Sequence, residues 1–387
     1  MSLLCCAVVA CGGRAYVYQA VESIDFRSRA ETQSDGPVTV NAAVLGKDET
    51  EAIFGVPLYD QGIQPVWLEI ENRGSERVRY APVSTDRDYF SPLEVAYKNR
   101  RKYSGEGRKE MEVRFDEVAM PRYISAGSTG SGFVFTQADN GAKGFNVDLF
   151  GTDEFFHFTF ILRVPGFEPD YANVDFDSIY PSEQLSSLSI DELKLALAGL
   201  PCCTTANSDD EDIGPINIAL VGPGQNLLTA LLRSGWRETA ADESAKKEAH
   251  YLFGRLQDAL FQYHSRTDDS YYELRLWLAP ILAGDERVWA GHVQHFFKLA
   301  PAIFRADPDV DHARYFAFQN LLYGQSLGKI GWLAGAAIAP DESFWANLVR
   351  PAWFTDGYRA VFWLSAEPVA IFDADILDWD RPEEKLQ

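Results

Sequence analysis

Asp307-Pro308-Asp309-Val310-Asp311 sets three carboxylates in an Asp-x-Asp-x-Asp row, the spelling that opens a calcium loop. Such a loop needs a glycine at its sixth position and a bidentate glutamate at its twelfth, where this chain has His312 and Phe318. The row fits better as the start of a helix opened by Pro308, where carboxylates gain from the positive end of the helix dipole. An ion or ligand role is the alternative. His292 and His295 resemble a metal pair. On a strand, however, positions three apart point to opposite faces, so one should pack inward and the other face solvent. Gly324-Gln325-Ser326-Leu327-Gly328 spells a nucleophile elbow, but a helix precedes it and no histidine follows His312. Ser326 to Lys329 spells Ser-x-x-Lys without the partner motifs of a penicillin-binding site. Both read as a glycine-punctuated helix end. Gly222-Pro223-Gly224 lacks the third glycine of a dinucleotide fingerprint, and Pro223 removes a donor from the turn, leaving a plain helix start.

The elements that must position these residues fall into two blocks. From Tyr16 to about Arg163, short alternating runs are separated by Gly, Pro and Asn. Examples are Val38, Val40, Ala42 and Val44, then Val66, Leu68 and Ile70, and Phe156, Phe158, Phe160 and Leu162. Leu93, Val95, Tyr97, Val113 and Phe115 read as part of the same series. Period-two alternation at this density predicts an antiparallel, immunoglobulin-like sandwich over residues 14–180, with one wet face per sheet. A helix and an acidic linker, 181–214, should carry the chain to the second domain. Residues 215–387 mix strands near Ile216–Val221, Tyr251–Phe253, Tyr272–Leu278, Val288–Phe297 and Arg359–Leu364 with helices. The helices are placed at Gln225–Arg233, between Asp242 and His250, and at Val310–Tyr323. An α+β domain with a largely antiparallel sheet and a fraying acidic tail from Phe372 is expected.

Composition narrows the partners. Thirty-five basic against 57 acidic residues give a formal charge of −22, a field that repels phosphate backbones and excludes nucleic acid as a partner. No cysteine or histidine spacing matches a structural zinc site. Val8-Val9-Ala10-Cys11 resembles a lipobox, which makes residues 1–13 a truncated lipoprotein signal and Cys11 the lipidated residue. Cys202 and Cys203 are adjacent, closer than the usual bridging range, and are expected as free thiols.

From Pro215 to Arg314 a series of motifs stands in order: Pro215-Ile216-Asn217-Ile218-Ala219-Leu220-Val221-Gly222, Ser234-Gly235-Trp236, Tyr251-Leu252-Phe253-Gly254-Arg255-Leu256-Gln257-Asp258, Leu274-Arg275-Leu276-Trp277, Val288-Trp289-Ala290-Gly291 and the Asp307–Asp311 row. This resembles the LssY C-terminal domain family of bacterial envelope proteins, a domain without an assigned activity, over about 215–330. The sandwich before it resembles a domain that often precedes this one in envelope lipoproteins. Relatives carry a His-His pair where this chain has Phe304-Arg305, an Asp at Phe296, and Glu-Arg-Asp at Ala313-Arg314-Tyr315. The resemblance leaves Arg255, Asp258, Arg275, Asp307, Asp309, Asp311 and Arg314, with His292, as ligand-binding candidates. No catalytic residue, metal or cofactor is expected. The expected function is a non-catalytic, lipid-anchored envelope module that binds an envelope protein or a cationic or polyol ligand. The alternative is a hydrolase of phosphate esters or lipid-linked substrates, with Arg255 or Arg275 holding the anion.

Overall fold

The computed structural model describes residues 15–103, 105–206, 212–265, 267–301, 303–335 and 353–380. The expected signal and Cys11 lie outside them, as does most of the acidic tract before Asp212. The chain is mostly β, built from sheets of antiparallel strands with some helices, and it divides into two units after Gly166. No helix of the described residues is long and apolar enough to cross a membrane.

In the first unit, β1 (Glu31–Asp35), β2 (Val38–Val44), β3 (Ile63–Asn72) and β6 (Ser128–Gln137) form one four-stranded sheet. A second sheet runs β5 (Tyr123–Ile124), β4 (Val78–Tyr80), β7 (Ala142–Phe150) and β8 (Phe155–Arg163). The alternating residues meet in one core: Val38, Val40, Ala42, Val66, Leu68 and Ile70 face Phe145, Val147, Phe158 and Phe160. The second sheet keeps a wet face, and the first keeps one at the end where Asn41 and Glu69 are half-buried and Ser131 is exposed. The first is otherwise covered on its other side by a core of Phe26, Phe54, Trp67, Phe115, Phe133 and Phe135. That layer is helical, with α1 (Lys47–Phe54), α3 (Pro92–Asn99) and α4 (Glu106–Glu117), while the one-turn α2 (Pro82–Thr85) lies against β7. The run expected as strands at Leu93–Tyr97 and Val113–Phe115 is therefore corrected. Leu93, Tyr97 and Val113 face solvent, while Val95 and Asn99, and Met111 and Phe115, are buried four apart, as a helix requires.

The second unit begins at Phe167, and Tyr171, Phe176, Ile179 and Tyr180 already pack against its core. The helix expected within 181–214 is present, and residues 181–206 pack into this unit. β9 (Ser186–Leu188) pairs with β17 (Tyr271–Ala283). α5 (Ile190–Ala198), held by a Ser189–Glu192 capping box, buries Leu193 and Leu197. Burying two such leucines contributes about 3–6 kcal/mol, which explains why the helix stays with this unit. Then follow β10 (Cys203–Thr205), β11 (Asp212–Pro215), β12 (Ile218–Val221), α6 (Gly224–Arg233), β13 (Arg237–Glu238) and α7 (Ala241–Ser244). The helix expected from Asp242 to His250 is thus a single turn. β14 (Tyr251–Leu252), β15 (Arg255–Leu256) and β16 (Ala259–His264) precede β17, and β18 (Glu286–Ala300), β19 (Ile303–Ala306) and α8 (Val310–Tyr323) come after it. β20 (Leu327–Ala334), β21 (Tyr358–Leu364) and β22 (Asp375–Ile376) complete the unit. The tail does not fray at Phe372: β22 pairs with β20, and Trp379 is buried.

Among the described residues the main sheet runs β13-β16-β17-β18-β12-β21-β20-β22, with β9 and β19 added at the ends of β17 and β18. α6 and α8 cover one face through Leu227, Leu231, Ala313, Ala317 and Leu321. α5 covers part of the other face. A separate sheet, β11-β10-β14-β15, accompanies it. With both faces covered, strand residues of either parity are buried, which is why β12 is uninterrupted Ile218-Ala219-Leu220-Val221.

Candidate functional site

The antiparallel register of β17 and β18 sorts the polar candidates by face. Arg275 stands opposite His292 and Glu273 opposite Gln294, so these four share one face. Tyr272 stands opposite His295 on the other. The two histidines are therefore on opposite faces, as alternation demands, yet both are buried because neither face is wet.

On the first face a polar network lies under β10 and β11. The Arg275 guanidinium donates to Glu273 at 2.9 Å and to the Glu248 carbonyl at 3.2 Å. Glu273 also accepts from Lys247 at 2.6 Å and from Gln262 at 2.9 Å. His292 Nδ1 donates to the Pro215 carbonyl at 2.8 Å, and His250 stacks on its ring at 5.4 Å. His250 Nδ1 meets the Thr204 hydroxyl at 2.9 Å. Burial, with Arg275 adding repulsion, pushes the His292 imidazole down to about 4 and lowers His250 as well, so both are neutral. Burial would raise Glu273, but Arg275 and Lys247 outweigh it and hold the carboxylate below its usual range. A Cβ at Gly214 would lie 2.5 Å from His292 Cε1, so glycine is what lets β11 pass over the ring.

Arg255 and Asp258 form a second, separate group. Arg255 Nε and Nη2 fork onto Asp258 at 2.9 Å each, Nη2 also donates to the Leu278 carbonyl at 2.6 Å, and Nη1 reaches the Tyr180 hydroxyl at 2.7 Å. Asp258 also accepts the Leu278 N–H at 2.6 Å. The pair ties the β14–β15 hairpin to β17.

The three aspartates before α8 do three different jobs. Asp309 is the helix cap, accepting the N–H groups of Asp311 and His312 at 3.1 and 3.2 Å. Asp309→Ala should lower stability by about 1 kcal/mol. Urea denaturation of the full chain checks this, and an unchanged midpoint would show the cap to be idle. Asp311 accepts from the Thr355 hydroxyl at 2.7 Å and the Asp356 N–H at 2.6 Å, and Arg314 lies 3.1 Å from it. Arg314, fully buried, forks onto Asp356 at 2.9 and 2.7 Å and donates to the Tyr358 carbonyl. Burial raises the Asp311 carboxyl despite Arg314.

Asp307 turns the other way. Its Oδ1 accepts the Asp309 N–H at 3.1 Å, and its Oδ2 lies 3.1 Å from His295 Nδ1 and 3.4 Å from His312 Nδ1. Burial would raise this carboxyl, but the hydrogen bonds from His295, the Asp309 backbone and His312 hold it below the usual range. Ser326 is buried, its hydroxyl donating to the Ala230 and Gly324 carbonyls, so the elbow spelling has no exposed nucleophile. Cys202 and Cys203 form a vicinal disulfide, correcting the expectation of two free thiols; Cys203 opens β10 and Cys202 sits at the turn before it.

The expected site residues therefore do not converge. Arg275 with His292, Arg255 with Asp258, and the Asp307–Arg314 segment are three separate groups. Sequence reasoning missed the grouping of His295 and His312 around Asp307. The β18–β19 hairpin creates it: pairing continues past Phe296–Ala306, and the Asp307 N–H reaches the His295 carbonyl at 2.8 Å.

These features define a mostly β protein of two units whose second unit buries its polar groups on both faces of one sheet. Residues 197–358 match the family model described as LssY C-terminus, and that stretch is similar to the family. No curated protein matches the chain. The matched stretch contains every candidate from Arg255 to Arg314 and extends beyond the expected 215–330 at both ends.

Proposed function

We propose that this chain is a non-catalytic envelope lipoprotein, anchored through Cys11, in which an immunoglobulin-like sandwich displays a binding or assembly module. The observation that supports this reading is the engagement of Arg255, Arg275 and Arg314. Each guanidinium is already engaged by carboxylates and carbonyls of its own unit, which leaves no free fork for a phosphate. The partner we favour is another envelope protein, because the β18–β19 hairpin exposes Leu299, Ile303 and Phe304 together. The acidic charge of −22 favours a cationic surface on it.

The gene expressed with its upstream codons should incorporate labelled palmitate, and Cys11→Ala should not. The purified chain should release no phosphate from p-nitrophenyl phosphate or a polyprenyl pyrophosphate, with magnesium or zinc added. Turnover that disappears in Arg255→Lys would replace this reading with the hydrolase.

A further inference from the structure

Two imidazoles and one carboxylate meet at the start of α8, and we infer that His295, Asp307 and His312 bind a divalent transition metal of the zinc class. The inference goes beyond the binding-module reading and does not depend on it. The ligand atoms of the three residues all lie within 4.8 Å of one another. The Asp307 Oδ2 edges to the two Nδ1 atoms are 3.1 and 3.4 Å. A tetrahedral ion with bonds of about 2.0–2.1 Å to nitrogen and oxygen has ligand edges of about 3.3 Å, so both distances suit a shared ion. Direct hydrogen bonding accounts for the His312 contact less well, because 3.4 Å is beyond the ordinary N–H···O range, while the His295 contact lies within it. The far Nε2 of His295 is buried with no hydrogen-bond partner, so the ring's polar contact is through the Nδ1 that faces Asp307.

The surroundings are those of a built site. His295 is held flat by Tyr272 at 4.5 Å, and Tyr272 by Phe316 at 3.7 Å. The Asp309 N–H orients the Asp307 carboxylate, as outer-shell donors do at metal sites. Asp268 lies within electrostatic reach of His295 and adds negative field. Two nitrogens and one oxygen select zinc-class ions over calcium or magnesium, which take oxygen donors. His312 is half exposed, with 52% of its side chain open to solvent, so three protein ligands leave a coordination position facing outward. That position suits water or a histidine or carboxylate of a docking partner.

The full chain, stripped with chelator and kept oxidised so that Cys202 and Cys203 stay bridged, is titrated with Zn2+ by calorimetry and with Co2+ by visible absorption. One equivalent should bind, and Co2+ should give the intense bands of a tetrahedral centre. His312→Ala, at an exposed position that folding tolerates, and Asp307→Asn, which preserves shape and the acceptor for the Asp309 N–H, should each weaken binding by about a hundredfold or more. Even loss of an outer-shell partner costs about 10–100-fold. Asp309→Ser, which keeps the helix cap, should bind as the parent does. No binding at large metal excess would overturn the site. So would binding retained in both ligand variants, or lost equally in Asp309→Ser.

Discussion

Arg314→Met should be the most damaging single change in the second unit, lowering its stability by about 3–5 kcal/mol at neutral pH. Methionine keeps the length and apolar stem but removes the cation that separates Asp311 from Asp356. Two partly buried carboxylates then face each other without compensation, and the Tyr358 carbonyl loses its donor. The consequence spreads because this cluster is where the chain returns to the sheet. Phe354 exchanges backbone hydrogen bonds with Pro308 and Val310, and four residues later β21 enters beside β12. Arg314→Lys should recover only part of the loss, since one ammonium cannot reproduce the fork onto Asp356. Urea denaturation should show a lowered transition for this unit while that of the first unit stays put. Hydrogen exchange should rise at residues 354–358. A parent-like midpoint in Arg314→Met would show the cluster to be energetically neutral.

Acidification should reveal two buried groups acting in opposite directions within one pH window. His292 is neutral in the fold, lowered to about 4 from an ordinary 6.5. Its stabilising contribution is fully present above pH 6.5 and is lost as pH falls toward 4, by about 3 kcal/mol in all. His250 is lowered for the same first reason, burial, and adds to the loss. Asp170 does the reverse. Burial raises its carboxyl to about 6, one oxygen accepting from Ser244 and the other buried without a partner. Charged Asp170 destabilises the fold above pH 6, and that penalty disappears as pH falls toward 3.8, a gain of about 3 kcal/mol. Glu273 and Asp307 are held low, so their losses begin at still lower pH. Because His250 adds a second loss, the parent should lose stability between about pH 7.5 and about pH 5, with Asp170 offsetting only part of it. Asp170→Asn should deepen that acid loss, and His292→Gln should make it smaller. Midpoints in urea at the two pH values measure this. Parallel profiles for all three proteins would sink the idea.

How far these groups could be seen in the sequence depended on the distance over which each was assembled. Alternation within one strand was legible, as Phe156, Phe158, Phe160 and Leu162 show. So was the Asp309 cap, three residues from its farther partner. Leu93–Phe115 was not. Its exposed Leu93, Tyr97 and Val113 are apolar, so they completed a period-two pattern that the buried Val95–Asn99 and Met111–Phe115 pairs contradict. His295 and Asp307 are joined by hairpin register, and their distance depends on where a turn near residue 301 falls. The Arg314–Asp311 pair is one helical turn apart and readable. Its Asp356 partner is brought back by the fold from 42 residues away. The vicinal bridge was missed because backbone spacing was weighed alone, before the local turn into β10 was known.

The matched family stretch ends at Tyr358, where β21 begins, and that strand lies between β12 and β20. A gene fragment cut at the family boundaries would remove β21 and Trp379, whose ring packs against Gly331. It would leave β12 and β20 with open backbone edges in the middle of the sheet, a template for intermolecular pairing. At the other end it would discard most of α5, β9 and the aromatic segment at residues 171–180. Expression from about Phe167 through Asp380 keeps every strand of the main sheet. Recombinant work that takes its termini from the family match should therefore expect inclusion bodies.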